Sequence, residues 1–123
     1  MEEIKRQVQA LKAQIANGNP FNERVLLVAA TKTQTAEAIN AAIAAGVDAV
    51  AENKPQEFRD KNDLLLPCPR HFIGHLQTNK LKYLVGKVEL FHSCDRAELA
   101  TELARLSVKK GIISNMLIHV SMR

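Results

Sequence analysis

Residues 25–54 read VLLVAATKTQTAEAINAAIAAGVDAVAENK, and this stretch decides the fold. Its first part, Val25–Ala30, has the length of a short strand and is apolar on both faces, as strands buried under helices are. The alanine-rich segment Thr35–Gly46 places two isoleucines four residues apart and ends in glycine, which predicts a helix. Val47–Ala51 is a second candidate strand, so the stretch predicts one strand–helix–strand unit.

The same couplet of strand and helix continues along the chain. The further predicted strands are His71–Gly74, Val88–His92 and Asn115–Val120, and the further predicted helices are Glu3–Ala16, Pro55–Leu65, Gln77–Val85 and Arg96–Lys110. We expect Asp95 to cap the last of these helices. Strands that alternate with helices indicate parallel βα units, with the helix at Glu3–Ala16 as an addition before the first strand.

Two parallel architectures are open to a chain with this pattern. A closed (β/α)8 barrel takes about 250 residues, and this chain has 123. An open doubly wound sheet fits the size, but it usually binds its ligand at a glycine-rich turn. The five glycines lie far apart, and neither GxGxxG nor GxxxxGK[ST] is present. The chain also stops at the tip of a predicted edge strand, which is an aggregation liability, so we expect a fragment of a larger domain.

Composition excludes several classes of protein. Apolar residues make up 46% of the chain, without the run of about 18 that a membrane span needs. The acidic N-terminal segment is not a secretory signal, and two cysteines (Cys68 and Cys94) give no disulfide framework, so we expect a cytoplasmic protein. The net charge of +4 is scattered and aromatic residues are only 4%, which favours a solvated basic surface over a nucleic-acid site.

Polar or ionisable side chains follow each of the five predicted strands. They are Thr31 and Lys32, then Glu52 and Asn53, then His75, Gln77 and Asn79, then Ser93, Asp95 and Arg96, and finally Ser121 and Arg123. Chemistry in parallel βα folds lies at the carboxyl ends of the strands, so this pattern is typical of a site at that rim. The alternative is that βα loops are polar in any case.

Lys32 is the most informative of these residues. By strand alternation it shares a face with Val28 and Ala30, at the mouth of an apolar interior. Desolvation there favours the neutral, nucleophilic amine that Schiff-base chemistry needs. The alternative is a lysine that extends into solvent just beyond a strand, and the residues alone favour that alternative.

Metal binding is not expected. His71 and His75 are four residues apart, which on a strand separates them by about 13 Å, so they do not share one ion. Cys94 lies beside Ser93 without a nucleophile motif around it, and a small buried residue is the better interpretation.

Five motifs in unbroken order resemble the pyridoxal-phosphate homeostasis family (YggS/PROSC-like), whose fold is similar to the N-terminal barrel of alanine racemase. The motifs are VAATKTQ (28–34), AENKPQEF (51–58), HFIGHLQTNK (71–80), FHSCDR (91–96) and LIHVSM (117–122). The resemblance implies an α/β fold of (β/α)8 TIM-barrel type, here an incomplete barrel of about five parallel strands. Residues 1–123 would form a single domain, the N-terminal portion of that barrel, without its C-terminal strands.

The same resemblance implies a site that binds pyridoxal 5′-phosphate (PLP). Lys32 would carry the cofactor as a Schiff base, Asn53 would lie near its ring, and His75 and Ser93 would face the same rim, with no catalytic residue and no metal. The family's phosphate cradle lies near its C-terminal strands, so we expect weak binding by this chain alone. Ala30 also departs from the serine that is common in the family at that position.

The implied function is regulation of vitamin B6 and amino-acid pools by a non-catalytic PLP carrier in the cytoplasm. Its expected partner is PLP, without nucleic acid or membrane, and with self-association through exposed barrel edges. A PLP-dependent racemase is an alternative, but it needs a second acid/base, typically tyrosine, and the only tyrosine, Tyr83, lies in a predicted helix. A non-catalytic module that binds nucleic acid or a protein partner is the other alternative.

Overall fold

The computed structural model describes residues 1–119. The strands are β1 (Val28–Ala30), β2 (Ala49–Glu52), β3 (Arg70–Phe72), β4 (Leu90–Cys94) and β5 (Asn115–Ile118). The helices are α1 (Glu2–Ala16), α2 (Ala36–Ala45), α3 (Pro55–Lys61) and α4 (Ala97–Lys110), with 3₁₀ helices at Asn62–Leu64 and Thr78–Tyr83. Strands and helical segments therefore alternate as the sequence predicts.

The order of the strands decides between the two parallel architectures. All five pair in parallel, in the order β1-β2-β3-β4-β5. A doubly wound sheet reverses direction at a switch point, whereas here every crossover steps the same way. Because such crossovers are right-handed, the intervening helices lie on one face of the sheet. This is the winding of a barrel wall, which confirms the predicted fold class and excludes the doubly wound sheet.

The core lies between the sheet and its helices. The larger apolar cluster packs Phe72 and Phe91 of adjacent strands against Leu81, Leu84 and Leu99. All five side chains are essentially inaccessible to solvent. Each large apolar side chain that is fully buried contributes about 1.5–3 kcal/mol, so this cluster anchors β3 and β4 under α4 and the second 3₁₀ helix.

A second apolar cluster joins α1 to the first strands. Val8 of α1 packs with Ile39 of α2 and with Val47 and Val50 around β2. The added N-terminal helix therefore lies on the outer, helical layer. The opposite face of the sheet is less covered, because Leu26 before β1 and Leu117 in β5 are each about half exposed.

Local sequence signals explain where several helices begin and end. The Thr35 hydroxyl accepts a hydrogen bond from the Ala38 N–H at 3.1 Å, which caps α2. Gly46 and Gly111 end α2 and α4 with positive φ angles of 110° and 69°. The prediction that Asp95 caps α4 is wrong, because Arg96 occupies that position without a side-chain cap.

Two further predictions differ from the structure. The helix predicted over Gln77–Val85 is a 3₁₀ helix over Thr78–Tyr83. Leu81 in this helix, and Leu84 and Val85 just after it, are fully buried in the core. Their packing, rather than an α-helical periodicity, therefore sets the conformation of the segment. The predicted strand tip with Ser121 and Arg123 lies outside the described residues.

Candidate functional site

The four predicted site residues lie at one edge of the sheet. Lys32 comes two residues after β1, Asn53 directly after β2, and His75 three residues after β3, while Ser93 is the penultimate residue of β4. Since the strands are parallel and adjacent in chain order, their carboxyl ends form a single rim. Ligands of parallel βα folds bind at that rim.

Lys32 lies in a tight turn that exposes its side chain. Thr31, directly after β1, is buried, and the Gln34 N–H then closes the turn onto the Thr31 carbonyl at 3.0 Å. Thr33 adopts a left-handed φ of 62°, which is uncommon for a residue with a Cβ. The side chain of Lys32 is exposed among residues 1–119, as in the alternative that the residues alone favoured, a lysine that extends into solvent just beyond a strand.

The turn that carries Lys32 is held by a carboxylate in the next unit. The Thr33 N–H donates to Glu57 Oε1 of α3 at 3.1 Å. The Lys61 ammonium lies 3.2 Å from the same oxygen. These two contacts, led by the Thr33 backbone bond, hold the pKa of Glu57 below its ordinary value of 4.5. Glu57 is therefore ionised at neutral pH and fixes the strained turn.

A buried carboxylate lies directly beneath the rim. Glu52 is only 5% exposed, and its Oε1 accepts a hydrogen bond from the Asn53 N–H at 2.9 Å. The Thr31 hydroxyl lies 2.9 Å from Glu52 Oε2 and 3.1 Å from the Ala51 carbonyl, so its single proton serves either acceptor. Lys61 approaches Glu52 Oε2 at 3.7 Å, so the buried charge is compensated.

Glu52 thus connects the ends of β1 and β2. It bonds Thr31, which precedes Lys32, and it bonds the backbone of Asn53. Lys61 links it to Glu57, which holds the other side of the Lys32 turn. No sequence motif assigned this role to Glu52 or Lys61, although an acidic residue at the end of the buried run AVAE indicates a carboxylate that needs partners.

A glycine allows the next loop to approach. A Cβ added to Gly74 would lie 1.8 Å from the carbonyl oxygen of Asn53. Such a distance is impossible for a real Cβ, so only glycine fits at this position. Gly74 therefore brings the loop that carries His75 against the loop that carries Asn53.

His75 and Ser93 make separate contacts at the rim. The exposed His75 ring places Nδ1 3.5 Å from Asp95 Oδ2. The Arg96 guanidinium donates to Asp95 Oδ1 at 2.8 Å, which holds the pKa of that carboxyl below its ordinary range. The Ser93 hydroxyl donates to the Ile73 carbonyl at 3.1 Å. Within residues 1–119, no hydrogen bond joins Lys32, Asn53, His75 and Ser93 to one another. Contacts of the residues beside them, such as Glu52 and Gly74, connect their loops.

A histidine pair lies on the sheet face opposite the helices. His92 Nε2 and His71 Nδ1 are 3.0 Å apart across β3 and β4. Burial, and then the neighbouring His71, hold the pKa of His92 below its ordinary value of 6.5. In the described part of the chain, no group of three or more His, Cys, Asp or Glu side chains is arranged to hold a metal ion.

Comparison with known proteins places this chain in a family. A relative from Aquifex aeolicus, named pyridoxal phosphate homeostasis protein, is 44% identical over 97 residues, covering 77% of this chain and 42% of that protein. PipY of Synechococcus elongatus PCC7942, solved with PLP bound, is 32% identical with a TM-score of 0.85 and covers 98% of this chain. The chain belongs to the pyridoxal phosphate homeostasis protein family.

Other members of the pyridoxal phosphate homeostasis family match over a longer part of the chain. The protein of that name from Helicobacter pylori (strain ATCC 700392 / 26695) is 32% identical, covering 98% of this chain and 57% of its own length. An unknown protein from Bifidobacterium adolescentis gives a TM-score of 0.84 at 34% identity. No protein-family model matches the chain.

The resemblance drawn from the five motifs is thus confirmed, together with the barrel-type fold. The chain spans about half the length of the pyridoxal phosphate homeostasis proteins that it matches. Among the residues described, no helix is long and apolar enough to cross a membrane.

Proposed function

We propose that this protein binds PLP as a Schiff base on Lys32. In this role it would act in vitamin B6 and amino-acid homeostasis as a non-catalytic carrier or regulator in the cytoplasm. The observation that carries the proposal is an exposed lysine at the carboxyl end of β1, on a turn fixed by two carboxylates. Its support is the shared family name of the relatives and the solved PLP-bound structure of PipY.

The residues present fit the chemistry of the cofactor. PLP supplies an aldehyde, which the neutral amine of a lysine attacks. Within residues 1–119, Lys32 is exposed and forms no ion pair with a carboxylate, so its side chain is accessible to the cofactor. Val28 and Ala30 share its side of β1 and offer a small apolar surface to a flat ring. We assign Asn53 to a contact beside that ring, and His75 and Ser93 to contacts along the same rim.

We further propose that residues 1–123 form a single domain, the N-terminal portion of a PLP-binding barrel. The one-directional winding of the sheet and the half-length match to relatives support this division. The remaining strands would supply the backbone donors for the phosphate. Each missing charge-assisted hydrogen bond weakens binding by about 1.5–3 kcal/mol, so this chain would hold PLP more weakly than a C-terminally extended protein.

A racemase-like activity has less support. That chemistry needs a second acid/base at the reacting centre, typically a tyrosine, and the chain has one tyrosine. The ring of Tyr83 packs against the Arg59 guanidinium, 4.1 Å from its centroid, in the helical layer. The carrier role requires no such group.

The test is borohydride reduction of the protein with PLP, followed by tryptic peptide mapping. Modification of Lys32 blocks cleavage there, and Pro55 hinders cleavage after Lys54, so the labelled peptide runs from Val25 to Arg59. In the wild type we expect this labelled peptide as the single adduct. In Lys32→Ala the adduct should be lost. Lys109→Ala, which removes an exposed lysine on α4, is the matched control and should keep the adduct.

The extended protein is the second arm of this test. An adduct at Lys32 that forms only in the extended protein would support the division of the barrel and place the phosphate contacts beyond this chain. Labelling spread evenly over many lysines in both proteins, or none at Lys32, would refute the assignment of Lys32.

A further inference from the structure

A cleft that shares only His75 with the predicted cofactor residues is lined by cations. It has a volume of about 340 Å³ and lies between α3 with its preceding loop and the 3₁₀ helix Thr78–Tyr83. The side chains that define it are Lys54, Arg59, His75, Gln77, Lys80 and Tyr83. No carboxylate is among its lining residues, and neither is Lys32.

Among residues 1–119, the cations of this cleft are not paired directly with carboxylates. In the part of the chain that the structure describes, no ion pair includes Lys54, Arg59 or Lys80. Of the nearby acidic side chains, Glu57 bonds Thr33 and Lys61, and Asp95 pairs with Arg96 and His75. Asp60, next to Arg59 in α3, accepts a bond from the neutral Gln56 amide. Three cations thus line one concave surface that has no carboxylate in its lining.

An aromatic ring holds the central cation in place. The Arg59 guanidinium lies 4.1 Å from the centroid of the Tyr83 ring, and Lys80 Nζ lies 6.0 Å from it. A stacked guanidinium keeps its N–H edges free to donate, so its fork is oriented before any ligand arrives. Gly74 sets the separation of two loops beside the cleft. Because it has no Cβ, the loop that carries His75 lies directly against the loop that carries Asn53.

We propose that this cleft binds a phosphate-bearing small molecule at a site separate from Lys32. An arginine fork and flanking lysines match the geometry and charge of a phosphate, as do the amide donors of Gln77. The volume lies within the range of small-ligand sites, about 300–1,000 Å³. The cleft is thereby a second anion site at the rim, beside the loops that carry Asn53 and His75.

The test uses pyrophosphate as the probe and calorimetric titration as the measurement. The double variant Arg59→Gln/Lys80→Gln should weaken pyrophosphate binding at least about tenfold, since it removes two charged donors. The control Lys87→Gln/Lys109→Gln makes the same change in net charge outside the cleft and should stay within about twofold of wild type. Lys32→Ala should also bind as wild type does. Arg59→Lys, which keeps the charge but not the fork, should fall between.

Several results would overturn the proposal. Equal weakening by the control pair would mean diffuse attraction to a basic surface, and loss of binding in Lys32→Ala would assign the anion to the cofactor lysine. No binding of pyrophosphate at millimolar concentration would remove the site. A single-stranded oligonucleotide that bound while pyrophosphate did not, and that depended on Arg59 and Lys80, would assign the cleft to nucleic acid instead. Borohydride labelling of Lys32 is read independently, so failure of either proposal leaves the other intact.

Discussion

Removal of the buried Glu52 carboxylate is the sharpest test of how the rim is held. In Glu52→Ala, the Thr31 hydroxyl keeps an acceptor because it turns to the Ala51 carbonyl, at 3.1 Å. The Asn53 N–H has no such substitute and loses its bond of 2.9 Å. Lys61 keeps only Glu57 as a partner, at 3.2 Å. A hydrogen bond to a charged group contributes about 1.5–3 kcal/mol, so we expect a loss of about 2–4 kcal/mol in the free energy of unfolding.

Glu52→Gln separates the charge from the hydrogen bonds. The glutamine oxygen can accept from Asn53 while its amide donates to the Thr31 hydroxyl, which in turn donates to Ala51. Both bonds survive as neutral ones, so we expect the smaller loss of about 1–2 kcal/mol. Against a total stability of about 5–15 kcal/mol for a small domain, both changes are measurable.

The assay is urea unfolding of both variants, with amide hydrogen exchange at Asn53 and Thr33. Exchange should accelerate most at Asn53, which bonds Glu52 directly, and less at Thr33, which is held through Glu57. Glu23→Ala, an exposed acid on the loop before β1, is the control and should change stability by less than about 0.5 kcal/mol. Equal losses in the alanine and glutamine variants, or unchanged exchange at Asn53, would refute the reasoning.

Three further outcomes are expected. Gly74→Ala should cost more than about 2 kcal/mol in urea unfolding, since its Cβ would meet the Asn53 oxygen at 1.8 Å. A loss no larger than that of Gly18→Ala, where φ is positive but nothing lies within 4 Å of the added Cβ, would contradict this. His92 has a pKa below 6.5 in the folded state, so the unfolded chain takes up its proton first, and the free energy of unfolding should fall as the pH drops through 6.5. His92→Asn should reduce that fall. A free energy of unfolding that rose as the pH was lowered from 7.5 to 5.5 would contradict the prediction. The half-exposed apolar side chains on the open face of the sheet should drive self-association in sedimentation velocity, reduced by Leu117→Lys; a single monomer at all concentrations would count against it.

The sequence was sufficient wherever neighbouring residues carry the information. Thr35 and Gly46 set the bounds of α2 because capping acts within four residues of a helix end. The alternation of strands and helices gave the parallel architecture, and position after each strand put Lys32, Asn53 and His75 at one rim. The cap assigned to Asp95 failed because α4 begins one residue later, with Arg96 at the cap position, while the Asp95 carboxylate pairs with Arg96 and with His75 of another loop.

Tertiary structure alone decided what surrounds those residues. The order of the strands follows from packing between elements that no local pattern specifies; the sequence predicted the barrel type only through the resemblance of its five motifs to a family. Glu52 finds Thr31 twenty-one residues away, and Gly74 meets the backbone of Asn53 across two strands. The cation-lined cleft likewise combines two loops that are separate in the chain. Periodicity and capping depend on residues that are close together in the sequence. Burial of a charge and the formation of a cleft depend instead on which distant groups the packed chain brings within a few ångströms of each other.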